Sequence, residues 1–237
     1  MEKTGAARIA FRLVVAALLT TSCAAMPLKP VPLTPDETRV LGLISAANPY
    51  VKSARMSGRV SIGSDKGPIR SNATVAVERP NNMRAVLHDS FGIAWFLLVV
   101  NENTVFYSSP EDGKRDAAAR KPGAPVRLGP LTIVPEDVIN NVYPSFAQDA
   151  LDGARISFQE NGLTAEWADH SLKLEFDPAY RIKSATIKRA KGNEVVFRYV
   201  YGFGTLLVQI NSNVAFEFSR VETPQELPPG LFIPPSL

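Results

Sequence analysis

The chain has 237 residues, of which 45% are hydrophobic and 21% are charged, and its formal net charge is +3. Without residues 1–22, which hold three basic residues and one acidic residue, 23 basic and 22 acidic residues remain. So small a net charge predicts no nucleic-acid-binding surface. About 215 residues suit one domain with a sizeable core, and a single cysteine excludes an internal disulfide.

Residues 1–22 have the pattern of an export signal. Arg8 and Arg12 precede the apolar run Leu13 to Leu19, and small polar residues then lead to Cys23. Seven consecutive apolar residues cannot span a bilayer, because a transmembrane helix needs about 20. The pattern therefore predicts a signal peptide at 1–22.

The residues Leu19-Thr20-Thr21-Ser22-Cys23 resemble a bacterial lipobox, in which the cysteine thiol is lipidated and becomes the first residue of the mature protein. The usual lipobox has Leu three positions before the cysteine, where this chain has Thr20. The alternative is ordinary cleavage after Ala24 or Ala25, with Cys23 discarded. We predict lipidation of Cys23. Ala24 is not the aspartate that retains enterobacterial lipoproteins in the inner membrane, so the analogy predicts anchoring at the periplasmic face of the outer membrane.

A proline-rich segment follows the cysteine. Pro27, Pro30 and Pro32 favour an extended polyproline geometry, which predicts a stiff linker at 23–34. A disordered tail is the alternative, and the two readings are compatible. The folded domain is predicted to occupy 35–237.

A helix is predicted to begin directly after this linker. Thr34 can cap it, Pro35 fits its first turn and Glu37 completes a capping box. One face then carries four apolar residues at helical spacing: Val40, Leu43, Ile44 and Ala47. Asn48-Pro49 ends the helix, whose apolar face must pack on another element.

From Met56 the hydrophobic period changes to two, which predicts antiparallel strands. The first five are predicted at 56–63, 69–78, 83–89, 93–100 and 104–108. The strand at 93–100 is apolar at every position, so it is either covered on both faces or presents one face to a ligand or a membrane. We expect the first arrangement. The polar stretch 108–127 is predicted to be a long surface loop.

The second half begins with another helix and continues as a strand meander. Pro135-Glu136-Asp137 opens the helix, which is predicted to run to residue 143. Strands are predicted near 156–158, 163–167, 172–176, 181–190, 194–201 and 213–221, with a possible short one at 205–210. The pattern predicts a mainly β protein with two helices and about eleven strands.

The sequence offers little for catalysis. His88 and His170 are the only histidines, and no nucleophile elbow or metal-ligand spacing accompanies them. Gly202 and Gly204 lack the strand-turn-helix setting of a phosphate-binding loop. We therefore predict a binding protein that is not an enzyme and uses no metal or cofactor.

Three segments resemble the outer-membrane lipoprotein acceptor LolB and its relatives: 57–62, 84–98 with its turn at 89–92, and 129–131 leading into the second helix. The resemblance implies an incomplete antiparallel β-barrel of about eleven strands closed by helices, a LolA/LolB-like fold. Its apolar interior would receive acyl chains of lipoproteins or lipid, and a periplasmic lipoprotein carrier would be a partner. Asn140, Tyr143 and the proline-rich C-terminal tail depart from the family pattern.

The resemblance also implies site residues. Phe91 and Gly92 would form a protruding tip that contacts the membrane or the cargo. A Phe91 folded back onto the core is the alternative. The hydrophobic lining is predicted to comprise Trp95, Phe96, Val138, Trp167, Phe176, Phe197 and Phe216, although the sequence does not distinguish a cavity from a solid core.

Two functions follow from these expectations. The first is an outer-membrane lipoprotein that binds lipid or lipoprotein acyl chains and helps to localise lipoproteins to the outer membrane. The second is an envelope assembly factor of the same fold that uses it as a scaffold for a protein partner. An aliphatic cavity of about 300–1,000 Å³ would favour the first, and a filled interior would favour the second.

Overall fold

The computed structural model describes residues 32–64, 67–109, 114–128, 131–190, 194–228 and 230–235. The predicted signal peptide, Cys23 and the linker up to residue 31 lie outside these ranges. The segment Gly129-Pro130, which contributed to the resemblance, also lies outside them.

Two α-helices and one short 3₁₀ turn are described: α1 (Pro35–Ala47), α2 (Pro135–Asn141) and the turn Asp149–Leu151. The start of α1 is as predicted, because the Thr34 hydroxyl accepts the Glu37 N–H at 3.3 Å and the Glu37 carboxylate accepts the Thr34 N–H at 2.8 Å. α2 is shorter than the predicted 135–143 and has no side-chain cap at its N-terminus.

Fifteen strands are described: β1 (Ser53–Ile62), β2 (Ile69–Glu78), β3 (Asn82–His88), β4 (Ala94–Val100), β5 (Thr104–Ser109), β6 (Lys114–Ala119), β7 (Val126–Leu128), β8 (Leu131–Ile133), β9 (Arg155–Gln159), β10 (Gly162–Glu166), β11 (His170–Phe176), β12 (Ile182–Arg189), β13 (Glu194–Tyr201), β14 (Leu206–Ile210) and β15 (Val214–Glu222). Thirteen form one antiparallel sheet, in the order β6, β5, β4, β3, β2, β1, β15, β14, β13, β12, β11, β10, β9. β7 and β8 form a separate hairpin. The edge strands β6 and β9 do not pair with each other, so the sheet is an open half-barrel.

The prediction of a surface loop at 108–127 is wrong. This stretch contains β6, which pairs with β5 from Ser109↔Lys114 to Thr104↔Ala119, and also β7. From residue 115 to residue 119 every side chain of β6 is exposed, so no buried side chain gave the sequence an alternating pattern. The four strands beyond the predicted eleven are β6, β7, β8 and β14, the last as a full strand.

β1 joins the two halves of the sheet, because it pairs with β2 on one side and with β15 on the other. The pairing with β15 contains an irregularity between Ser57 and Gly58. A side chain at Gly58 would place its Cβ 2.0 Å from the carbonyl oxygen of Glu217. Only glycine therefore fits this close approach of the two backbones.

The main core lies between the sheet and the two helices, on a side that we call the inner face. α1 contributes Leu41 and Ile44, and α2 contributes Val138 and Ile139. Alternate residues of the central strands complete this core, among them Met56, Val75, Phe197 and Phe218. Burial of these apolar side chains is the main force that holds the helices on the sheet.

The outer face is covered where β4 is apolar on both sides. Leu98 and Val100 face the main core, while Val99 pairs with Arg84 and Phe106 on the outer face, and all three apolar residues of β4 are buried. The C-terminal tail lies over this row. Arg84 donates to the Leu231 carbonyl at 3.1 Å, and the Asn101 amide donates to the Phe232 carbonyl at 3.2 Å. The prediction that this strand is covered on both faces is thus confirmed for 98–100.

Candidate functional site

A cavity of about 790 Å³ lies between α2 and the inner face of β11 and β12. Its floor is aliphatic, because the strand register sets Leu172 opposite Ile187 and Leu174 opposite Ala185. Its roof is formed by α2 and by the segment 143–151. A volume of this size lies within the range of small-molecule and lipid-sized pockets, roughly 300–1,000 Å³.

One end of the cavity is polar: β11 begins there at His170 and β12 ends there at Arg189. Arg189 pairs with Asp137 of α2, with Nη2 to Oδ1 at 2.5 Å and Nε to Oδ2 at 3.3 Å. Burial raises the pKa of the Asp137 carboxyl, and the hydrogen bonds from Arg189 oppose this shift in part. Beside them, the rings of His170 and Trp167 stack with centroids 4.5 Å apart. The ion pair of Arg189 with Asp137 ties the first turn of α2 to the sheet.

The other end of the cavity contains a buried arginine. Arg79 is 5% exposed, and its guanidinium donates to the carbonyl oxygens of Val51, Asn140 at 3.1 Å and Tyr143 at 2.6 Å. Within the described ranges, no carboxylate lies close enough to form an ion pair with it. Burial accordingly lowers the pKa of Arg79. Two of its partners, Asn140 and Tyr143, offer carbonyls at the C-terminal end of α2, where the helix dipole favours a cation.

Tyr199 adds a second donor at the same end. Its hydroxyl donates to the carbonyl oxygen of Asn141 at 2.6 Å, and burial strongly raises the pKa of this hydroxyl. At the opposite end of α2, Arg120 donates to Glu136 at 2.8 and 3.0 Å. The sheet therefore holds α2 over the cavity through polar contacts at both ends and through Val138 and Ile139 between them.

Of the seven residues predicted to line the interior, only Trp167 lines this cavity. Three are buried in the solid core: Val138, Phe176 and Phe197. Trp95, Phe96 and Phe216 are half-buried against a second cluster that comprises Val60, Ala73 and Leu87. The predicted lining residues are thus divided among three environments.

The aliphatic and polar residues that line this cavity could not be recognised from the sequence. Leu172 and Leu174 were visible in the alternation of their strand, but nothing local showed that they face a void. Arg79 and Tyr199 are 120 positions apart in the chain and meet only through the register of the sheet. A basic residue placed directly before Pro80 in a predicted turn was the only signal, and it is not specific.

Phe91 lies at the turn between β3 and β4 and is 88% exposed. The Asp89 carboxylate accepts the N–H groups of Phe91 at 2.9 Å and Ile93 at 2.8 Å, which fixes the turn. Gly92 has a φ of +82°, a conformation that glycine adopts without strain. Ile93 is also exposed, so the turn displays two apolar side chains. The contact that this tip makes stays a prediction.

Two further properties concern membranes and metals. Over the described ranges, no helix is both long enough and apolar enough to cross a bilayer. Nor do the described side chains include a group of three or more His, Cys, Asp or Glu that could hold a metal ion. The two histidines are separate: His88 lies beside the Gly92 carbonyl at 3.3 Å, and His170 pairs with Asp169 at 2.7 Å.

The chain is similar in fold to solved structures that share little of its sequence. A domain described as an outer membrane lipoprotein-sorting protein, from Vibrio parahaemolyticus, has a TM-score of 0.50 and 11% identity and covers 82% of this chain and 95% of its own. A DUF1329 family protein from Desulfovibrio piger has a TM-score of 0.51 and 9% identity, with coverages of 82% and 93%. A LolA superfamily protein from Nitrosomonas europaea has a TM-score of 0.48 and 10% identity, with coverages of 83% and 97%. Neither a protein-family model nor a curated protein matches the sequence.

The architecture defines a class of protein: an open antiparallel half-barrel whose inner face is covered by helices. The fold of this chain is the LolA/LolB-like fold, and the predicted fold class is confirmed. Identities this low establish the fold alone. The function has to be argued from the cavity and the surfaces of this chain.

Proposed function

We propose that this chain binds the acyl chains of lipoproteins, or lipid, in the cavity beneath α2 and helps to localise lipoproteins to the outer membrane. The observation that carries the proposal is the cavity of about 790 Å³ with an aliphatic floor at Leu172, Leu174, Ala185 and Ile187. An acyl chain on this floor would gain the free energy of apolar burial, about 0.8 kcal/mol for each CH₂ group. The likeness to a lipoprotein-sorting domain supports the same reading.

The structure suggests how a chain would enter. α2 has only seven residues, and its ends are held by side-chain hydrogen bonds and ion pairs rather than by a continuous apolar interface. When α2 moves outward, water can satisfy the groups released from Arg79, Tyr199 and Asp137. An incoming acyl chain can then replace the apolar contacts of Val138 and Ile139. Binding and release are thus coupled to the position of α2.

The exposed tip and the N-terminal cysteine complete the proposal. Phe91 and Ile93 offer an apolar contact to a membrane or to a cargo carrier in the periplasm. Lipidation of Cys23 would anchor the domain at the outer membrane, since three acyl chains hold a protein far more firmly than one. Cys23→Ala should yield a soluble periplasmic protein or an uncleaved precursor. A cleaved Cys23→Ala protein that remains tightly bound to the membrane would contradict this part.

We propose binding without catalysis. In the described residues, several charged groups around the cavity are engaged in structural contacts: Asp137 with Arg189, Asp169 with His170, and Arg79 with three carbonyls. No nucleophile stands beside a free general base among them. An assay for turnover of a bound acyl ester by the purified chain should therefore detect none.

A second candidate function is an envelope scaffold that binds a protein partner. It is favoured by the amount of the interior that is solid, since Val138, Phe176 and Phe197 are all fully packed. The two functions differ in whether the remaining cavity takes a ligand. A filled interior has no room for a ligand, whereas a cavity with an aliphatic floor can take one.

Titration with an environment-sensitive fatty acid tests this choice. Saturable binding that a lipopeptide displaces is expected. Leu172→Glu, which places a charge on the cavity floor, should weaken binding at least about ten-fold, because burying an unpaired carboxylate is costly. Thr186→Glu is the matched control, since Thr186 lies on the adjacent strand and faces the other side of the sheet. No saturable binding by a folded, monodisperse sample would favour the scaffold.

A further inference from the structure

Four exposed aromatic residues lie together at the end of the sheet where β13 turns into β14. Phe203 is completely exposed, Tyr50 is 51% exposed, and Tyr180 and Tyr201 are each 37% exposed. Hydrogen bonds from side chains to main-chain carbonyls connect the segments that carry the tyrosines. The Asn48 amide donates to the Tyr180 carbonyl at 2.7 Å, and the Tyr201 hydroxyl donates to the Ile182 carbonyl at 2.8 Å. We call these four residues the aromatic end.

Phe203 projects from a hairpin that gives it no lateral support. It lies between Gly202 and Gly204, and the turn closes with a hydrogen bond of 2.9 Å from the Gly202 N–H to the Thr205 carbonyl. Apart from Gly204 and its two chain neighbours, no described atom lies within 4 Å of the position that a Cβ at Gly204 would occupy. Phe203 is therefore fully displayed to solvent.

Exposure falls at alternate residues from this tip into β13. Phe203 is apolar and fully exposed, Tyr201 is half-exposed, and Tyr199 is buried beneath it. The Arg181 guanidinium lies 5.0 Å from the centre of the Tyr201 ring and forms an ion pair with Asp177 at 2.7 Å. An apolar tip followed by tyrosines is the order of side chains at a membrane interface.

We propose that the aromatic end contacts the surface of a lipid bilayer, with Phe203 at the boundary of the acyl region and the three tyrosines among the headgroups. Side chains of interfacial proteins reach about 5–10 Å into that boundary. β13 ends at Tyr201 and Phe203 lies two residues further on, in the turn, so Phe203 can reach the acyl boundary while Tyr201 stays at the headgroups.

The cavity adjoins this surface. Tyr50 and Tyr199 both line the cavity, and Tyr199 is two residues from Tyr201 on the same strand. A bilayer in contact with the aromatic end is thus next to the end of the cavity where Arg79 is bonded to the end of α2. Delivery of an acyl chain through this end rests on the proposed function, whereas the bilayer contact itself does not.

The register of the sheet separates this surface from Phe91. β3 runs in the direction of β1, whereas β13 runs against it, because neighbouring strands alternate in the order β3, β2, β1, β15, β14, β13. The turns that follow β3 and β13 therefore point toward opposite ends of the half-barrel. One flat bilayer cannot contact both tips, so the Phe91 tip is assigned to the cargo or its carrier.

Fluorescence can compare the two ends in one experiment. Full-length Phe203→Trp and Phe91→Trp proteins are reconstituted into phosphatidylcholine vesicles, with and without phosphatidylglycerol. The unsubstituted chain gives the background from Trp95 and Trp167. Lipids brominated near the headgroup should quench the added indole of Phe203→Trp at least about two-fold more than that of Phe91→Trp, since only side chains at the acyl boundary meet the bromine atoms.

Acrylamide in the water phase should quench the two indoles in the reverse order. Equal lipid quenching at both positions, or quenching of the Phe203→Trp indole by acrylamide alone, would overturn the proposal. Binding of the fatty-acid probe is measured on the same samples. Absence of probe binding with strong lipid quenching at position 203 would refute the proposed function and leave the bilayer contact supported.

Discussion

The guanidinium of Arg79 donates a hydrogen bond of 2.6 Å to the main-chain carbonyl of Tyr143, just beyond the end of α2. The same side chain bonds Val51, which follows α1, so one buried cation joins both helical segments to the sheet. Its partners are neutral carbonyls. The interaction can therefore be broken by solvation of the arginine and leaves no buried anion behind.

Removing this cation should loosen α2. Arg79→Met keeps much of the side-chain volume but leaves three carbonyls without their donor, which predicts a loss of about 1–3 kcal/mol in the free energy of unfolding. Exchange of a bound fatty-acid probe should become faster, because α2 opens more often. Urea unfolding and stopped-flow displacement measure the two effects.

Two variants serve as controls for Arg79→Met. Tyr199→Phe removes one donor at the same end of α2, so it should cause a smaller change in the same direction. Arg84→Met removes a donor to Leu231 on the outer face and should leave probe exchange unchanged. Faster exchange in Arg84→Met as well would show that exchange reports general stability and not the position of α2.

The pH dependence of stability should show the environment of Asp137. Burial raises its pKa above that of the unfolded chain, despite the hydrogen bonds from Arg189. The folded protein then holds the proton more tightly, so the contribution of Asp137 to stability is largest at low pH and falls as the pH rises above about 4. The difference in unfolding free energy between the unsubstituted chain and Asp137→Asn should fall as the pH rises from about 4 through the folded-state pKa of Asp137.

Glu175 provides the control of opposite sign. Hydrogen bonds from Lys173 and Ser184 lower its pKa, so its contribution is present above about pH 4 and is lost as the pH falls through the folded-state pKa. The same difference for Glu175→Gln should therefore grow with pH. If the difference in unfolding free energy between the unsubstituted chain and Asp137→Asn also grows with pH, the pair with Arg189 affects the pKa of Asp137 more than burial does. Urea unfolding across the pH range measures both.

The C-terminal tail is predicted to be part of the folded domain. It covers Val99 and Phe106, which are 0% and 1% exposed on the outer face. Deletion of 223–237 would expose both side chains and should cost about 2–5 kcal/mol in the free energy of unfolding. Binding of a hydrophobic dye should rise in parallel. Ile233→Ser, at a tail position that is already 67% exposed, should change neither measurement.

Local chemistry explains which elements were predictable from the sequence. The capping box of Thr34 and Glu37 is contained in four residues, and α1 begins where it predicts. The alternating strands were visible because one face of each is buried. β6 was missed because its side chains are exposed and only its backbone pairs with β5.

The site was harder to predict for a different reason. The strand register that brings Arg79 and Tyr199 to the end of α2 depends on pairings across the whole sheet, and no short segment encodes it. The predicted lining residues were chosen as large and apolar. Such side chains fill space, so most of them form the solid core, and smaller aliphatic residues border the void.

Phe91 allows a direct test of a displayed tip. Its side chain is 88% exposed, so Phe91→Ala should change the free energy of unfolding by no more than about 0.5 kcal/mol. Phe197→Ala is the matched core control, and it should cost about 3–5 kcal/mol because Phe197 is fully buried. Thermal and urea unfolding of the two variants measure this contrast.

Phe91→Glu tests whether the exposed tip takes part in the transfer of cargo. A carboxylate at an exposed turn is well solvated, so the melting temperature and the binding of a fatty-acid probe should stay as they are. Transfer of an acylated cargo from a carrier, through this chain, to vesicles should slow, because the apolar contact at the tip is lost. Ser90→Glu places the same charge one residue away without removing the phenyl ring and should transfer normally. A large fall in melting temperature for Phe91→Ala would instead place Phe91 in the core.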